Sequence, residues 1–415
     1  MKKLLFTLLG VISLNVFAQR TCGTYEKAEE QFALDPVAQA NRAALKEFLI
    51  HNDYKKTKKA GVVTIPVVVH IIYKTNTQNI SEEQILSQLK VLNDDYSKMN
   101  ADFDNVVPEA FKPFASDMEL AFCLATVAPD GSPTNGIERK QVANSFNFDN
   151  NYYKASGLPA WDPTKYLNMW VGPFTNTQLL GWAYPPDFAG AAFDGFCVTY
   201  RAFGTIGTAG TGGFGSYNKG RTATHEIGHY FGLAHIWGDS NDPTVCGTTI
   251  NNDGCDDTPA TSDPYFGTPT YPNNQYTCEN TADGAMFMNY MDYVDDKAMA
   301  MFTNDQKTIA QNVMVGPRAS LLNSNACATL GVNGEEMVAA INVFPSPATN
   351  YISIASPLVK LDTVEIFGSD GKLVKKASIK NETDKIDVTV FSAGVYYIRT
   401  YKQGELVKSL KFIKK

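Results

Sequence analysis

An eleven-residue segment, His225 to His235, constrains this chain more than any other. It reads HEIGHYFGLAH. In an α-helix, residues four positions apart lie on one face, one turn above the other, so His225 and His229 can point at a single ion. Gly232 can adopt the positive φ that ends a helix, and the chain then turns back to bring His235 to the same point. The segment therefore predicts a helix, a glycine turn and a three-histidine metal site.

Three imidazole ligands favour zinc and leave one position of a tetrahedral ion open, which is the pattern of catalytic zinc sites. Glu226 is not needed as a ligand, and we expect it to be the general base. Zinc lowers the pKa of a bound water and polarises a carbonyl group, and Glu226 would accept the proton of that water and pass it to the departing amine. The predicted reaction is hydrolysis of a peptide bond without a covalent enzyme intermediate.

Two other interpretations of the segment are open. A closed structural zinc site would need a fourth histidine or cysteine, and the segment contains none. A surface adhesin or binding protein could hold zinc without turnover, but metal binding alone has no use for Glu226. The chain has five histidines, and three of them fall in this segment, so we interpret the pattern as a site and not as an accident.

Composition narrows the class of protein. The chain has 415 residues, enough for two or three domains, and its 44% hydrophobic content is ordinary for folded domains. The formal net charge of −7 gives no basic field for a phosphate backbone, which argues against nucleic acid as a partner. We expect a globular monomer that acts on proteins or peptides.

The first residues are typical of an exported precursor. Lys2-Lys3 is followed by an apolar run and by Val16-Phe17-Ala18, with small residues at the places a signal peptidase reads. We predict a signal peptide over 1–18 and no later membrane span. Residues 19–59 read as a propeptide that ends in Lys55-Lys56-Thr57-Lys58-Lys59, a predicted processing site, although such a run can also be a solvated linker.

Export to an oxidising compartment makes the cysteines candidates for disulfides. The chain has seven, an odd number. Six lie in the predicted folded body: Cys123, Cys197, Cys246, Cys255, Cys278 and Cys327. Cys22 lies alone near the mature N-terminus, and we expect it to remain unpaired.

Hydrophobic patterns predict an α/β domain over 60–328, with a mixed, twisted sheet packed on the active-site helix. Val62 to Tyr73 is a β-branched run typical of a buried strand, and His70 within it is interpreted as a core histidine. Ser81 begins an amphipathic helix. Further strands and a last helix are predicted over 118–125, 166–171, 195–200 and 304–315. After Cys327, short alternating strands predict a linker and a small all-β sandwich within 329–415.

Three more segments join the histidine motif in one pattern. They are Gly220-Arg221-Thr222-Ala223-Thr224, Cys255-Asp256-Asp257-Thr258-Pro259 and Met288 to Asp296. Together with the motif they resemble the pappalysin family of metzincin metalloproteases, over about residues 20–325. The resemblance implies a zincin-type catalytic domain and a zinc endopeptidase made as a latent zymogen.

The resemblance also implies roles for single residues. Met291 would form the methionine turn beneath the metal, and Tyr293 would lie near the zinc and support the oxyanion. Cys22, in Arg20-Thr21-Cys22-Gly23, would be a cysteine switch whose thiolate occupies the open position of the zinc in the zymogen. The alternative for Cys22 is an incidental free thiol.

Two further sites follow from the same resemblance. Asp256, Asp257 and Thr258 resemble a calcium loop, and oxygen ligands suit that ion, although a solvated acidic turn would read the same way. Asp295 or Asp296 would supply the negative charge that selects basic residues at P1′.

The C-terminal module carries a second resemblance. Its segments Val343 to Ala348, Val364 to Gly368, Gly394 to Ile398 and Lys411 to Lys415 resemble the sorting domain of type IX secretion substrates. This implies export by the type IX machinery through the periplasm of a Gram-negative bacterium, to the cell surface or the medium. The alternative is a carbohydrate-binding or adhesive β-sandwich.

Overall fold

A computed structural model describes residues 20–56, 61–238, 246, 253–327, 341–356, 361–369, 371–379, 384–402 and 405–415. The chain divides into two compact units, 1–328 and 329–415. The predicted signal peptide, 1–18, and part of the lysine run, 57–59, lie outside the described residues. None of the helices described is both long and apolar enough to cross a membrane.

A mixed sheet of six strands organises the first unit, as predicted. The strands are β1 Val63–Tyr73, β2 Leu120–Leu124, β3 Ile137–Gln141, β4 Leu167–Gly172, β5 Gly181–Ala183 and β6 Phe196–Thr199. Their order is β2-β1-β4-β6-β5, and β3 pairs with the second half of β1. Only β5 runs antiparallel to its neighbour, and it ends the sheet. The sequence pattern missed β3, which is polar and partly exposed, and β5, which has three residues.

Strand β1 is the centre of this sheet. Val67 and Val69 make their backbone bonds on the side of β2 and β3. Backbone groups alternate in direction along a strand, so the backbone nitrogen of Pro66 faces β4. Pairing between β1 and β4 begins only at Val67, and the missing N–H of the proline therefore costs no hydrogen bond in the sheet. His70 is a buried core residue, as predicted. Its two ring nitrogens are satisfied by Glu138 of β3 and Asn168 of β4, at 2.8 and 2.9 Å.

Seven α-helices are described: α1 Thr24–Phe32, α2 Pro36–His51, α3 Glu82–Tyr96, α4 Phe103–Val106, α5 Phe148–Asn151, α6 Arg221–Tyr230 and α7 Asn304–Val315. Ser81 caps α3 as predicted, since its hydroxyl accepts the N–H of Gln84 at 3.2 Å. Helix α6 packs against α3, β5 and β6. All ten of its residues are buried, so the histidine motif lies in the core of the unit.

Residues 20–56 pack on the same unit. Helix α1 contacts β5, and α2 contacts α7. The side-chain amide of Asn312 in α7 donates to the carbonyls of Leu49 and Asn52 at 2.8 and 2.7 Å. The Leu49 side chain lies against Gly232, where an added Cβ would lie 3.1 Å from it. The predicted propeptide segment is therefore anchored beside the turn that ends the motif helix.

The second unit is an all-β sandwich, as predicted. A three-stranded and a four-stranded sheet, in the orders β13-β10-β9 and β12-β11-β14-β15, share one apolar core. The strands are β9 Asn342–Phe344, β10 Tyr351–Ala355, β11 Thr363–Phe367, β12 Leu373–Ser378, β13 Ile386–Asp387, β14 Gly394–Lys402 and β15 Glu405–Lys414.

The first unit also contains a separate two-stranded parallel pair, β7 Phe266–Gly267 and β8 Tyr293–Val294.

Two disulfides are present, Cys123–Cys327 and Cys246–Cys278. Cys22 is a free buried thiol, as predicted, but Cys197 and Cys255 are also free and buried, so treating them as disulfide candidates was wrong. Cys197 lies on β6 inside an aromatic cluster, where a cysteine packs as a small apolar side chain.

The Cys123–Cys327 disulfide closes a loop with a sequence separation of 204, against 32 for Cys246–Cys278. We expect the serine pair Cys123→Ser and Cys327→Ser to lower the free energy of unfolding by about 2–5 kcal/mol. The matched pair at Cys246 and Cys278 should cost about 1–2 kcal/mol less, because a shorter loop removes less chain entropy. Differential scanning calorimetry measures both, and equal melting temperatures for the two variants would contradict the loop argument.

Candidate active site

The motif helix and its turn take the predicted form. Gly220 precedes α6 with a φ of 75°, and Gly232 follows it with a φ of 81°. The N–H of Leu233 donates to the carbonyl of Gly228 and that of Gly232 to the carbonyl of His229, at 3.0 and 2.9 Å. This is the Schellman arrangement, which stops the helix and reverses the chain toward the third histidine.

The three histidines meet at one point. The Nε2 of His229 lies 3.1 Å from the Nε2 atoms of both His225 and His235. The Nδ1 atoms of His225 and His229 lie 2.7 Å from the carbonyls of Tyr290 and Leu233. A carbonyl only accepts, so these Nδ1 atoms carry protons and the Nε2 atoms are left as ligand atoms. Burial lowers the pKa of His225 and of His235, which favours the neutral form that binds metal.

This donor set fits a zinc ion. Zn–N bonds of about 2.0–2.1 Å in a tetrahedral site place two nitrogens about 3.3 Å apart, close to the spacing observed. The Cys22 thiol joins the three imidazoles, and the four ligand atoms lie within 4.8 Å of one another. Within the described ranges, no other group of histidine, cysteine and acidic side chains has this compactness. Cys22 and the three predicted zinc ligands are thus brought together.

Met291 lies directly beneath the motif helix. A Cβ added to Gly228 would be 2.4 Å from the Met291 sulfur, so the glycine at this position lets the methionine approach the helix backbone. The Oδ1 of Asn289 accepts the N–H of Met291 at 2.9 Å and fixes the turn. The side chain of Tyr293 lies beside the ligands, with its ring 5.0 Å from that of His235.

Glu226 is buried between the three histidines of the motif and the N-terminal segment. Its Oε2 lies 3.3 Å from the Cys22 sulfur and accepts the Thr24 hydroxyl at 3.2 Å. Burial raises the pKa of Glu226 to about 8. Burial and the charge of Glu226 raise the pKa of the Cys22 thiol. In this form of the chain, Cys22 and Thr24 occupy the space around the predicted general base.

Residues 21–24 extend the sheet along the free edge of β5. The N–H of Leu180 donates to the carbonyl of Thr21 at 3.0 Å, and the N–H of Gly23 donates to the carbonyl of Gly181 at 2.9 Å. Cys22 and Gly181 form a parallel bridge, so the segment runs in the direction of β5. The contact could not be predicted, because β5 itself was not.

Arg20 lies two residues before Cys22 and is 1% exposed. Its guanidinium donates to Oδ1 of Asp296 at 2.5 Å and to the carbonyl of Val294 at 3.2 Å. It also lies over the ring of Tyr217, 5.1 Å from the centroid. The sequence analysis did not predict Arg20 as part of the site. Its position two residues before Cys22 could have indicated that it lies nearby.

The two predicted specificity residues differ in position. Asp296 is fully buried, holds Arg20 and accepts the N–H of Lys219 at 2.8 Å. Asp295 is partly exposed, and its Oδ2 accepts the Thr268 hydroxyl at 3.3 Å. Only Asp296 contacts the buried arginine.

The predicted calcium loop gathers more carboxylates than the sequence suggested. The Thr258 hydroxyl donates to Asp253, and the N–H groups of Asp256 and Asp257 donate to Asp305. Burial raises the pKa of Asp253 to about 7 and raises that of Asp257, whose Oδ1 is buried without a hydrogen-bond partner. These oxygens suit a hard cation, and calcium here stays a prediction.

Two family models match the chain. Residues 151–315 match the family described as pregnancy-associated plasma protein-A. Residues 342–415 match the secretion system C-terminal sorting domain. The second match indicates a type IX secretion substrate that reaches the cell surface or the medium.

The chain is also similar to named proteins. An extracellular metalloprotease of Colletotrichum graminicola is 28% identical over 325 residues, which are 77% of this chain and 98% of that protein. One of Arthroderma otae is 27% identical over 308 residues, covering 71% and 91%.

Solved structures of mirolysin share the fold. Mirolysin in complex with a compound is 39% identical, with a TM-score of 0.59, and the match covers 65% of this chain and 98% of that one. A mutant of promirolysin from Tannerella forsythia is 34% identical, with a TM-score of 0.64, covering 74% and 98%. The chain therefore belongs to the pappalysin family of secreted zinc metalloendopeptidases.

Proposed function

We propose that this endopeptidase holds one catalytic zinc with His225, His229 and His235, uses Glu226 as its general base and is made as a latent zymogen. The observation that carries the proposal is the convergence of three imidazole Nε2 atoms, two pairs of them at 3.1 Å, in a buried site beside Glu226. Three lone pairs at this distance repel one another unless a cation lies between them.

The chain's own groups supply the proton transfers. Zinc bound here would polarise the substrate carbonyl and lower the pKa of the attacking water. Glu226 accepts the proton of that water and delivers it to the leaving amine nitrogen. The hydroxyl of Tyr293, which accepts the N–H of Cys22 at 3.4 Å, is near enough to donate to the oxyanion once Cys22 has left. An adhesin without turnover does not fit, because the chain belongs to a family of metalloendopeptidases and metal binding alone has no use for the buried Glu226.

Latency follows from the same contacts. The Cys22 sulfur would take the fourth position on zinc, and its neighbour Thr24 bonds Glu226. If Arg20 fills the P1′ pocket, residues 20–22 run in the direction opposite to a substrate. From N- to C-terminus, a substrate passes the zinc and then the P1′ pocket, whereas this segment passes the pocket with Arg20 and then the zinc site with Cys22. The Cys22 sulfur would therefore lie at the metal position where a substrate presents its scissile carbonyl.

The remaining assignments stay predictions. We propose that residues 1–18 are a signal peptide, 19–59 a propeptide cleaved near its lysine run, 60–328 the catalytic domain and 329–415 the linker and sorting domain. A monomeric state is expected.

Asp296 supports a preference for basic residues at P1′. Its carboxylate is buried, and the only cationic side chain described in contact with its oxygens is that of Arg20. A substrate arginine or lysine in the same pocket would restore the ion pair that the propeptide takes away.

Replacement of Glu226 by Gln should keep the zinc and abolish proteolysis, because the amide fills the same space but accepts no proton. We expect kcat/KM on a fluorogenic peptide to fall at least about 10²-fold, with one zinc per chain retained in the metal analysis. Exposed Glu83 on α3 gives the matched control, since Glu83→Gln should keep full activity. Undiminished cleavage by the Glu226→Gln enzyme would refute the general-base role.

Cys22→Ala should weaken latency. Loss of about 1.4 kcal/mol of binding by the inhibitory segment raises the open fraction tenfold, so the intact zymogen should gain at least about tenfold in initial rate. Cys255→Ala removes a buried thiol that is not part of the three-histidine site and serves as the control. Mass spectrometry verifies that the zymogen is uncut, and an intact Cys22→Ala zymogen as silent as the native one would disprove the switch.

Asp296→Asn in the mature enzyme should reduce the preference for arginine over leucine at P1′ by at least about 30-fold, near 2 kcal/mol, because a buried guanidinium loses its carboxylate. The ratio of kcat/KM for two matched peptides measures this. Asp295→Asn, with the same charge change one residue away, should leave the ratio unchanged. Equal effects of the two variants would assign the preference to general charge and not to the pocket.

A further inference from the structure

A second cavity lies next to the pocket that holds Arg20. It has a volume of about 180 Å³, and Thr177 and Leu179, from the segment that leads into β5, form one of its walls. Arg201 and Phe214 contribute another. The propeptide contacts the same segment, since the Thr21 hydroxyl donates to the carbonyl of Gln178 at 2.7 Å. The cavity therefore borders the path of any chain that lies along this edge of the sheet.

Arg201 gives this cavity its charge. The guanidinium packs on two rings, 5.2 Å from the centroid of Tyr200 and 5.7 Å from that of Phe214. Gly212 makes room for it, since an added Cβ would lie 2.9 Å from its central carbon. Its Nε is buried without a hydrogen-bond partner, and across the described residues it forms no ion pair. A cation held in place but lacking an acceptor is suited to bind an anion.

A single turn separates Arg201 from the Arg20 pocket. Phe214 and Tyr217 close this turn, with the N–H of Tyr217 donating to the carbonyl of Phe214 at 2.8 Å. Arg20 lies over Tyr217, and Arg201 lies over Phe214. An acidic pocket, floored by Asp296, and a basic cavity thus stand side by side, with one turn between them.

The order of these pockets along a substrate follows from the site. The scissile bond lies at the zinc, and on the proposed function the P1′ side chain lies where Arg20 lies now. Residues P2′ and P3′ must then continue away from the zinc, past Leu179 toward Thr177. An extended chain advances about 3.3 Å per residue, so the residues that follow P1′ are the ones that pass the second cavity.

We propose that Arg201 forms a primed-side subsite that selects an acidic side chain at P2′ or P3′. The inference rests on the proposed function, because it takes the position of P1′ from the Arg20 pocket. The preferred substrates then carry a basic residue followed, one or two positions later, by aspartate or glutamate. The two charges of such a peptide match the two adjacent pockets.

The test compares peptides that share arginine at P1′ and differ only at P2′ and P3′, with glutamate, alanine or lysine at each position. The mature enzyme should cleave the better glutamate peptide about three- to fivefold faster in kcat/KM than its alanine counterpart, the range of a partly exposed ion pair. Lysine should be the poorest. Added salt should reduce the ratio through screening.

Variants then assign the effect. Arg201→Gln should bring the glutamate-to-alanine ratio to about one, Arg201→Lys should keep it above one, and Arg201→Glu should favour the lysine peptide. Lys90→Gln, at a site 74% exposed on α3, makes the same change in net charge and should leave the ratio unaltered.

Two results would overturn the subsite: equal cleavage of glutamate, alanine and lysine peptides, or a glutamate preference that survives in Arg201→Gln. Failure of the proposed function looks different, since the native enzyme would then cleave none of the peptides before arginine. A ratio within one enzyme cancels any loss of folded protein, so a destabilised variant still reports on the subsite.

Discussion

The site depends on holding three histidine Nε2 atoms close together in the core of the protein, with two of the pairs 3.1 Å apart. Many contacts in the first unit fix the positions of these side chains. Helix α6 supplies two of them, and arginines hold both of its ends. At the start, Arg221 donates to Asp102 and to the carbonyl of Asp296. At the end, Arg318 donates to the carbonyl of Tyr230 at 3.0 Å and to the buried Asp194. The helix is thereby fixed against rotation, and the ring nitrogens keep their spacing.

The N-terminal segment, residues 20–24, contacts the same centre from outside, and its contacts resemble those of a bound ligand. It pairs with an edge strand, brings a thiol to the three imidazoles and forms an ion pair with a buried carboxylate. Each contact is made by a different residue, Thr21, Cys22 and Arg20. A more distant contact, the Leu49 side chain beside Gly232, joins the proposed propeptide to the turn that positions the third histidine. The N-terminal segment and the histidine site are thus parts of one network of contacts.

Local sequence rules predicted helices α3, α6 and α7 and most of the longer strands, because their signals lie within a few residues. Helices α1, α2, α4 and α5 were not predicted. Helix α7 spans Asn304–Val315, the range that the sequence pattern predicted. The motif likewise predicted the turn at Gly232, whose φ is 81°. What escaped depended on contacts between remote residues. The three-residue strand β5 exists through its pairing with β6, the Arg20–Asp296 contact spans 276 positions, and burial alone distinguishes the free thiols of Cys197 and Cys255 from paired ones.

The short edge strand β5 has a consequence for what this protease can digest. With residues 21–24 gone, its outer backbone groups are open to another chain. A helix cannot form hydrogen bonds with these groups, because its own N–H and C=O groups are already bonded to each other. A strand within a sheet cannot do so either, because both of its sides are already paired. Only an extended segment that is not part of a helix or sheet can pair with this edge of β5. On the proposed function, cleavage therefore requires a locally unfolded segment of the target protein before any sequence preference applies.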